Sequence, residues 1–302
     1  MKSIFTVLIL VSLFVAPSAH ADHPLLEKNR RILVLGDSIT QAGHYVHYLD
    51  AWLVKNFPDR RYEVINAGLS SETISGLSEQ GHAGGRFPRP CLFERLERVL
   101  AKTQPQLIIA CYGMNCGIYK PLDPERTARF QNGHLRLRAA AKQHGAELIH
   151  VTPPIFDNHD KPGFDYNTVL TAYSKWLAQQ TDKGWHVADL HTFMSNQVAA
   201  AKAKNKKFTV QRDRVHPNKL GHWIMAQAII SYFGDTKASK TANGTQLLPS
   251  KAMDALVQRS AAFQKAIHAE TKPLRPGVPQ GGTLTSAREL AKTLEAVIYQ
   301  TP

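Results

Sequence analysis

The strongest constraint on the fold is an alternation that runs from residue 30 to residue 234. Short, continuous apolar runs stop near a glycine or proline, and longer stretches with helical spacing separate them. Arg31-Ile-Leu-Val-Leu35 ends at Gly36, Glu63-Val-Ile-Asn66 precedes Gly68, Leu107-Ile-Ile-Ala-Cys111 precedes Gly113, and Leu148-Ile-His-Val151 precedes Pro153-Pro154. Trp185-His-Val-Ala188 is a weaker fifth run. A run without polar alternation belongs to a strand buried on both faces, as in a parallel sheet covered by helices. Tyr45 to Phe57, Leu92 to Ala101, Pro124 to His144, Tyr166 to Thr181 and Leu220 to Phe233 supply those helices. Pro124 sits at a first-turn position and Gly145 stops the same helix.

Strands alternating with helices make βαβ units, and right-handed crossovers restrict such units to a doubly wound, mostly parallel five-stranded sheet of flavodoxin-like topology. Ligands of these sheets bind outside the carboxyl ends of the strands. Polar residues at the ends of the runs are therefore the candidates for chemistry.

The two termini read differently. Lys2, the apolar run from Ile4 to Ala16 and the small-x-small site Ala19-His20-Ala21 predict a signal peptide over residues 1–21, with Asp22 as the first mature residue. The run is shorter than the roughly 20 apolar residues of a membrane span, and no later segment is apolar enough to be one. Export to the periplasm or beyond is the expectation. Residues 22–234 form the main domain. Residues 235–302 form a polar linker and a helical extension: a helix over Ser250 to Glu270, a proline-rich joint from Lys272, and a helix over Leu284 to Tyr299. Thr285 or Ser286 is expected to cap the last helix, with Glu289 completing a capping box. Two helices rarely make a core of their own, so the extension is expected to pack on the main domain or on a partner.

The formal net charge is +13 over 302 residues. A basic surface suits acidic polymers, anionic lipid or nucleic acid. Export and the lack of any RNA- or DNA-binding signature exclude nucleic acid. The densest basic cluster, Lys202-Ala-Lys204-Asn-Lys206-Lys207, reads as a solvated helix end. Cys91, Cys111 and Cys116 are too few for a disulfide scaffold; they allow one bridge with one thiol left over, and the pair stays open. The spacings of Cys and His match no zinc site, so no metal is expected.

Gly36-Asp37-Ser38-Ile39-Thr40 follows the first strand and opens a helix. Ser38 there projects over the sheet edge, with its N–H at a helix N-terminus where an oxyanion is favoured. A capping role fits the same residues. In Asp213-Arg-Val-His216-Pro217 the carboxylate can accept from His216 Nδ1–H, which frees Nε2 to take a serine proton. Gly68 after the second strand and Asn115 after the third can add a backbone and an amide donor to the Ser38 N–H, giving a three-donor oxyanion hole. Asp37 is expected to shape its turn. Tyr119, Phe156 and Asp157 lie in loops where they could line a pocket. Tyr45, Tyr48 and Trp52 have the spacing of packing residues, and His44 and His47 that of a helix surface. Arg86 and Arg89 sit in a glycine-rich loop where they could meet an anionic substrate.

Together these blocks resemble the SGNH/GDSL hydrolases, whose serine, glycine, asparagine and histidine look like Ser38 in GDSIT, Gly68 in NAGLSSET, Asn115 in YGMNCGIY and His216 in DRVHPNKLGH. The resemblance covers roughly residues 30–234. It implies a three-layer α/β/α fold and hydrolysis of esters or thioesters without a cofactor, with Ser38, His216 and Asp213 as the triad. One departure is Cys116, which stands where the family's third block often has aspartate. The expected activity is that of an exported esterase removing O-acetyl groups from carbohydrate, with a small-molecule or anionic ester as the wider substrate class. A lysophospholipase or thioesterase of the envelope, and a non-catalytic binder of acidic polysaccharide, are the alternatives.

Overall fold

The computed structural model describes residues 23–157, 164–237, 244 and 247–299. The expected signal peptide and most of the polar linker fall outside them. Five parallel strands, β1 (Arg31–Gly36), β2 (Glu63–Asn66), β3 (Leu107–Cys111), β4 (Glu147–Val151) and β5 (His186–Ala188), form one sheet in the order β2-β1-β3-β4-β5. Every pairing is parallel, with Val34 opposite Asn66 on one side and Ile109 on the other. β3 is buried along its whole length, which is why its sequence carries no polar residue.

Helices cover the sheet: α1 (Pro24–Lys28), α2 (Ser38–Ala42), α3 (His44–Asn56), α4 (Leu92–Thr103), α5 (Pro124–Gln143), α6 (Asn167–Gln179), α7 (Leu190–Lys204) and α8 (Lys219–Tyr232). Tyr45, Tyr48 and Trp52 of α3 are buried in the core, as their spacing predicts. α8 is buried from Gly221 to Ile230, so its run GHWIMAQAII is apolar nearly all round. Helix α7 has only Leu190, His191, Met194 and Val198 buried, a stripe too narrow to announce a helix in the sequence; only its basic end was legible. That end is not wholly solvated, because Lys202 Nζ pairs with the buried Asp157 carboxylate at 2.5 Å.

The extension consists of α9 (Ser250–Thr271) and α10 (Leu284–Ile298). Helix α9 packs against α3, α4 and β2, and α10 packs against α9. Its Arg259 reaches Asp50 of α3 with bonds of 2.8 and 2.9 Å, both side chains nearly unexposed. Arg288 of α10 pairs with Glu63 of β2 at 2.9 Å. The cap of α10 differs from the expectation: Thr283 is the N-cap, and Ser286 completes the capping box in place of Glu289. A hydroxyl three residues on reaches the N-cap N–H as well as a longer carboxylate does.

Candidate active site

The chain runs from β1 to β2 on one side and then crosses to β3 on the other, so the topological switch point lies at the carboxyl ends of β1 and β3. Ser38 follows the first of these strands and Asn115 the second. At Gly36 a Cβ would lie 2.0 Å from Thr40 Oγ1 and 2.8 Å from the Cys111 carbonyl oxygen. Only glycine lets α2 turn so sharply out of the sheet. Asp37 caps α2, accepting the Ile39 N–H at 3.0 Å, and burial pushes its carboxyl up to about 6. It shapes the turn, as expected. Ser38 is the first residue of α2, half-buried, and its N–H has no acceptor among the described residues. Since α2 is only five residues long, little helix dipole acts there, and the local N–H is the relevant donor.

His216 lies in the turn that precedes α8, the helix that packs against α3. Its Nε2 lies 2.9 Å from Ser38 Oγ, and its Nδ1 lies 2.6 Å from Asp213 Oδ2. The carboxylate at Nδ1 fixes that proton, so Nε2 is left to accept from the serine hydroxyl. Asp213 Oδ1 accepts the backbone N–H of Val215 and of His216 at 3.0 and 2.7 Å. Partial burial pushes the Asp213 carboxyl up, but these bonds and the imidazole outweigh it, and its pKa falls below the usual value. The turn is clamped from below: Gln211 Nε2 donates to the carbonyls of Ile155 and Val215 at 2.7 and 3.0 Å, and Asp157 N–H donates to the Arg214 carbonyl at 3.0 Å. Asp157 is therefore a brace. It is 2% exposed, with its carboxylate held by Lys202 and Thr209, and with Phe156 it lines a surface cavity beside α7. The side chains of His216 and Asp213 are 51% and 56% exposed, so the relay opens directly to solvent until a substrate covers it.

Asn115 is 4% exposed and held at both ends of its amide. Its Nδ2 donates to the Glu72 carbonyl at 3.3 Å and its Oδ1 accepts from Tyr119 OH at 3.1 Å, which leaves one amide hydrogen free. Gly68 departs from the expectation. Its N–H donates to Asn66 Oδ1 at 2.9 Å, and a Cβ there would lie 2.4 Å from Gln41 N. The glycine is required for close packing of α2 over the loop, and its donor is spent. The N–H groups from Ala67 to Thr73 can be accounted for in full: those of Ala67, Leu69, Glu72 and Thr73 reach carbonyls, Gly68 reaches Asn66 and Ser70 reaches Gln41 Oε1. Only Ser71 N–H is left open. Ser71 also holds φ at 69°, in the left-handed region that a serine rarely enters. Because Asn115 Nδ2 touches the carbonyl of the next residue, these two donors share one corner. No sequence pattern marks Ser71; only the hydrogen-bond accounting finds it.

Cys116 is buried, and the Ile74 and Ser75 N–H groups point at its sulfur, as they could at a carboxylate; burial pushes the thiol up to about 12. All three cysteines are free thiols. Arg89 forms two 2.6 Å bonds with Glu79 and its guanidinium lies over the Tyr119 ring, 5.5 Å from the centroid. Arg86 bonds the Ala83 carbonyl. Phe156, Tyr119 and Tyr166 pack together beside Asn115. His44 and His47 face each other and His44 faces His222 rather than open solvent. Among the described residues no group of three or more His, Cys, Asp or Glu could hold a metal ion, and no helix is long and apolar enough to cross a membrane.

Known proteins can be set beside this geometry. The structure resembles a catalytic mutant of Axe2, an acetylxylan esterase from Geobacillus stearothermophilus, with a TM-score of 0.53 and 20% identity over 68% of this chain and 94% of that one. It also resembles LAE5, an alpha/beta hydrolase enzyme from the metagenome of Lake Arreo, Spain, with a TM-score of 0.52 and 20% identity over 68% of this chain and 95% of that one. A third likeness is BT4096, a gut microbial diltiazem-metabolizing enzyme, with a TM-score of 0.53 and 19% identity over 68% of this chain and 47% of that one. At such identities the likeness is one of fold. No curated protein matches the sequence. The model of the GDSL-like Lipase/Acylhydrolase family matches residues 34–224, which hold all of the sheet but the start of β1, with Ser38, Asn115, Asp213 and His216. The chain belongs to that family and is an ester hydrolase.

Proposed function

We propose that the protein is an exported carbohydrate O-acetylesterase that works through Ser38, His216 and Asp213. The observation that carries this reading is the unbroken relay from Ser38 Oγ to His216 Nε2 at 2.9 Å and from His216 Nδ1 to Asp213 Oδ2 at 2.6 Å. His216 takes the hydroxyl proton as Ser38 Oγ attacks the ester carbonyl. The oxyanion rests on Ser38 N–H, the free hydrogen of Asn115 Nδ2 and the open N–H of Ser71. Collapse breaks the carbonyl–alkoxy bond, the alcohol leaves with the proton held by His216, and water cleaves the acetyl-enzyme by the same route. Asp213 keeps the imidazole in the required tautomer.

Three features favour a carbohydrate substrate. The relay is open to solvent and so reachable by a bulky polymer. The formal charge of +13 favours acidic polysaccharide. One similar structure is an acetylxylan esterase. Export rests on the leader pattern of residues 1–21.

Hydrolysis of 4-nitrophenyl acetate by the purified protein, lost in Ser38→Ala and in His216→Ala, is the direct test. Wild-type turnover no faster than that of the variants ends the proposal. An acyl panel from acetyl to long chains, run beside acetylated xylan, tests the substrate class; rates that rise with chain length favour a lipid ester instead. Fractionation of the native host tests export.

A further inference from the structure

Helix α9 lies outside residues 34–224, yet two of its side chains bond to the segments that carry the site. Gln264 Nε2 donates to the Gln41 carbonyl at 3.0 Å. Gln41 belongs to α2, whose first residue is Ser38, and a five-residue helix has no intrahelical partner for its last carbonyls. His268 Nε2 lies 3.1 Å from the Gly68 carbonyl, in the loop that carries Ser71.

Those two targets are already joined to each other. Ser70 N–H donates to Gln41 Oε1 at 2.6 Å, and Asn66 Nδ2 donates to the Thr40 carbonyl at 2.7 Å. Helix α2 and the β2 loop thus form one bonded unit, and α9 closes it from behind. The His268 ring is unexposed, and its Nδ1 lies 3.3 Å from the Pro279 carbonyl. Burial, with Arg95 nearby, pushes its pKa down to about 4, so near neutral pH the ring carries one N–H. The shorter contact assigns that proton to Nε2 and makes Gly68 its acceptor. Arg259, about one and a half turns before Gln264 and two and a half before His268 on the same helix, is anchored to Asp50. The register in which Gln264 and His268 meet their targets is therefore fixed.

We propose that Gln264 and His268 are positioning residues for ester hydrolysis, through which the C-terminal extension sets the placement of Ser38 and of the donor loop. The inference rests on the reading of Ser38 as nucleophile. Neither side chain needs to touch substrate. A displacement of about 1 Å at the reacting atoms costs on the order of a hundredfold in rate, so loosening one of two restraints is expected to cost roughly tenfold.

The test uses the full chain. Gln264→Leu and His268→Leu are compared with wild type in kcat and KM for 4-nitrophenyl acetate, in the rate of Ser38 phosphonylation by an organophosphonate, and in thermal unfolding. The expected result is a roughly tenfold fall in kcat and in phosphonylation rate with KM held within about twofold. His268→Gln, which returns an amide donor, is expected to recover most of the loss. Arg288→Gln loosens the docking of α10 on Glu63 without touching α2 or the β2 loop, and is expected to lower the unfolding temperature with kcat intact. Leucine variants with wild-type kcat overturn the inference. So does a loss of kcat that His268→Gln fails to restore and that Arg288→Gln reproduces, since a general loosening of the extension then explains it. Wild-type protein that neither hydrolyses the ester nor reacts at Ser38 overturns the esterase reading itself, and this inference with it.

Discussion

The guanidinium of Arg95 grips the carboxylate of Glu72 through bonds of 2.7 and 2.8 Å, and neither side chain has any exposure. Tyr112 OH adds a 2.6 Å bond to the same carboxylate, and Arg95 also donates to the Ala67 carbonyl at 2.7 Å. The pair lies under the loop whose Glu72 carbonyl orients Asn115. A buried ion pair is a poor source of net stability, because both ions must leave water. Its value here is that it fixes one corner of the site. Burial alone lowers the pKa of Arg95, but Glu72 outweighs it and keeps the guanidinium charged.

Glu72→Gln leaves that charge buried and uncompensated. The expected cost is on the order of 3–5 kcal/mol in unfolding free energy, with kcat lowered as the Asn115 corner loosens. Denaturant unfolding and kinetics on one preparation check it. A variant as stable as wild type removes the pair from this role.

Asn115→Ala removes an oxyanion donor and is expected to lower kcat by roughly 10²–10³-fold, with little change in KM. Tyr119→Phe deletes only the hydroxyl that holds Asn115 Oδ1, so its loss should be smaller and in the same parameter. Equal losses in the two variants, or a loss confined to KM, contradict this assignment.

Much of this was legible before any coordinates. The five strands could be read because strands buried on both faces carry unbroken apolar runs, Ser38 because motif and strand end coincide, and His216 because an Asp-x-x-His-Pro turn opens α8. Three things could not be read. Helix α7 buries too narrow a stripe to show a period. Gly68 looks like a donor in the sequence, but its N–H is taken by Asn66, a side chain two residues away whose orientation no pattern announces. The role of α9 depends on contacts separated by about two hundred residues, Gln264 to Gln41 and His268 to Gly68, and such contacts leave no periodic trace.

Asp213→Asn keeps the shape of the turn but loses the carboxylate at His216 Nδ1, so the wrong tautomer becomes accessible. The expected fall in kcat is roughly 10³–10⁴-fold. Asp213 also holds two backbone N–H groups, and Asn Oδ1 can keep those, so the unfolding temperature should move little. A large drop in stability together with a small kinetic effect reverses the reading of Asp213.

Acid should unfold this protein through buried histidines. Burial pushes His134 and His222 down to about 3 and His268 to about 4, against about 6.5 in an unfolded chain. Between those values the unfolded chain binds protons that the folded one refuses. Stability is therefore intact above pH 6.5 and lost as pH falls toward 4, with each histidine adding up to about 1.4 kcal/mol per pH unit. Asp37 acts in the opposite sense. Its carboxyl, raised to about 6 by burial, keeps a proton in the folded state that the unfolded chain has released, so its own contribution falls as pH rises from 3.8 to 6. With His47 also down to about 4 and His150 well below its usual value, the histidines outnumber the raised carboxyls Asp37 and Asp50, which leaves a net loss on acidification. Urea unfolding at pH 7, 6 and 5 measures the slope. His134→Gln should flatten it by about one proton's worth and Asp37→Asn should steepen it by as much. Stability that holds level or rises from pH 7 to pH 5 is incompatible with neutral, buried imidazoles at these positions.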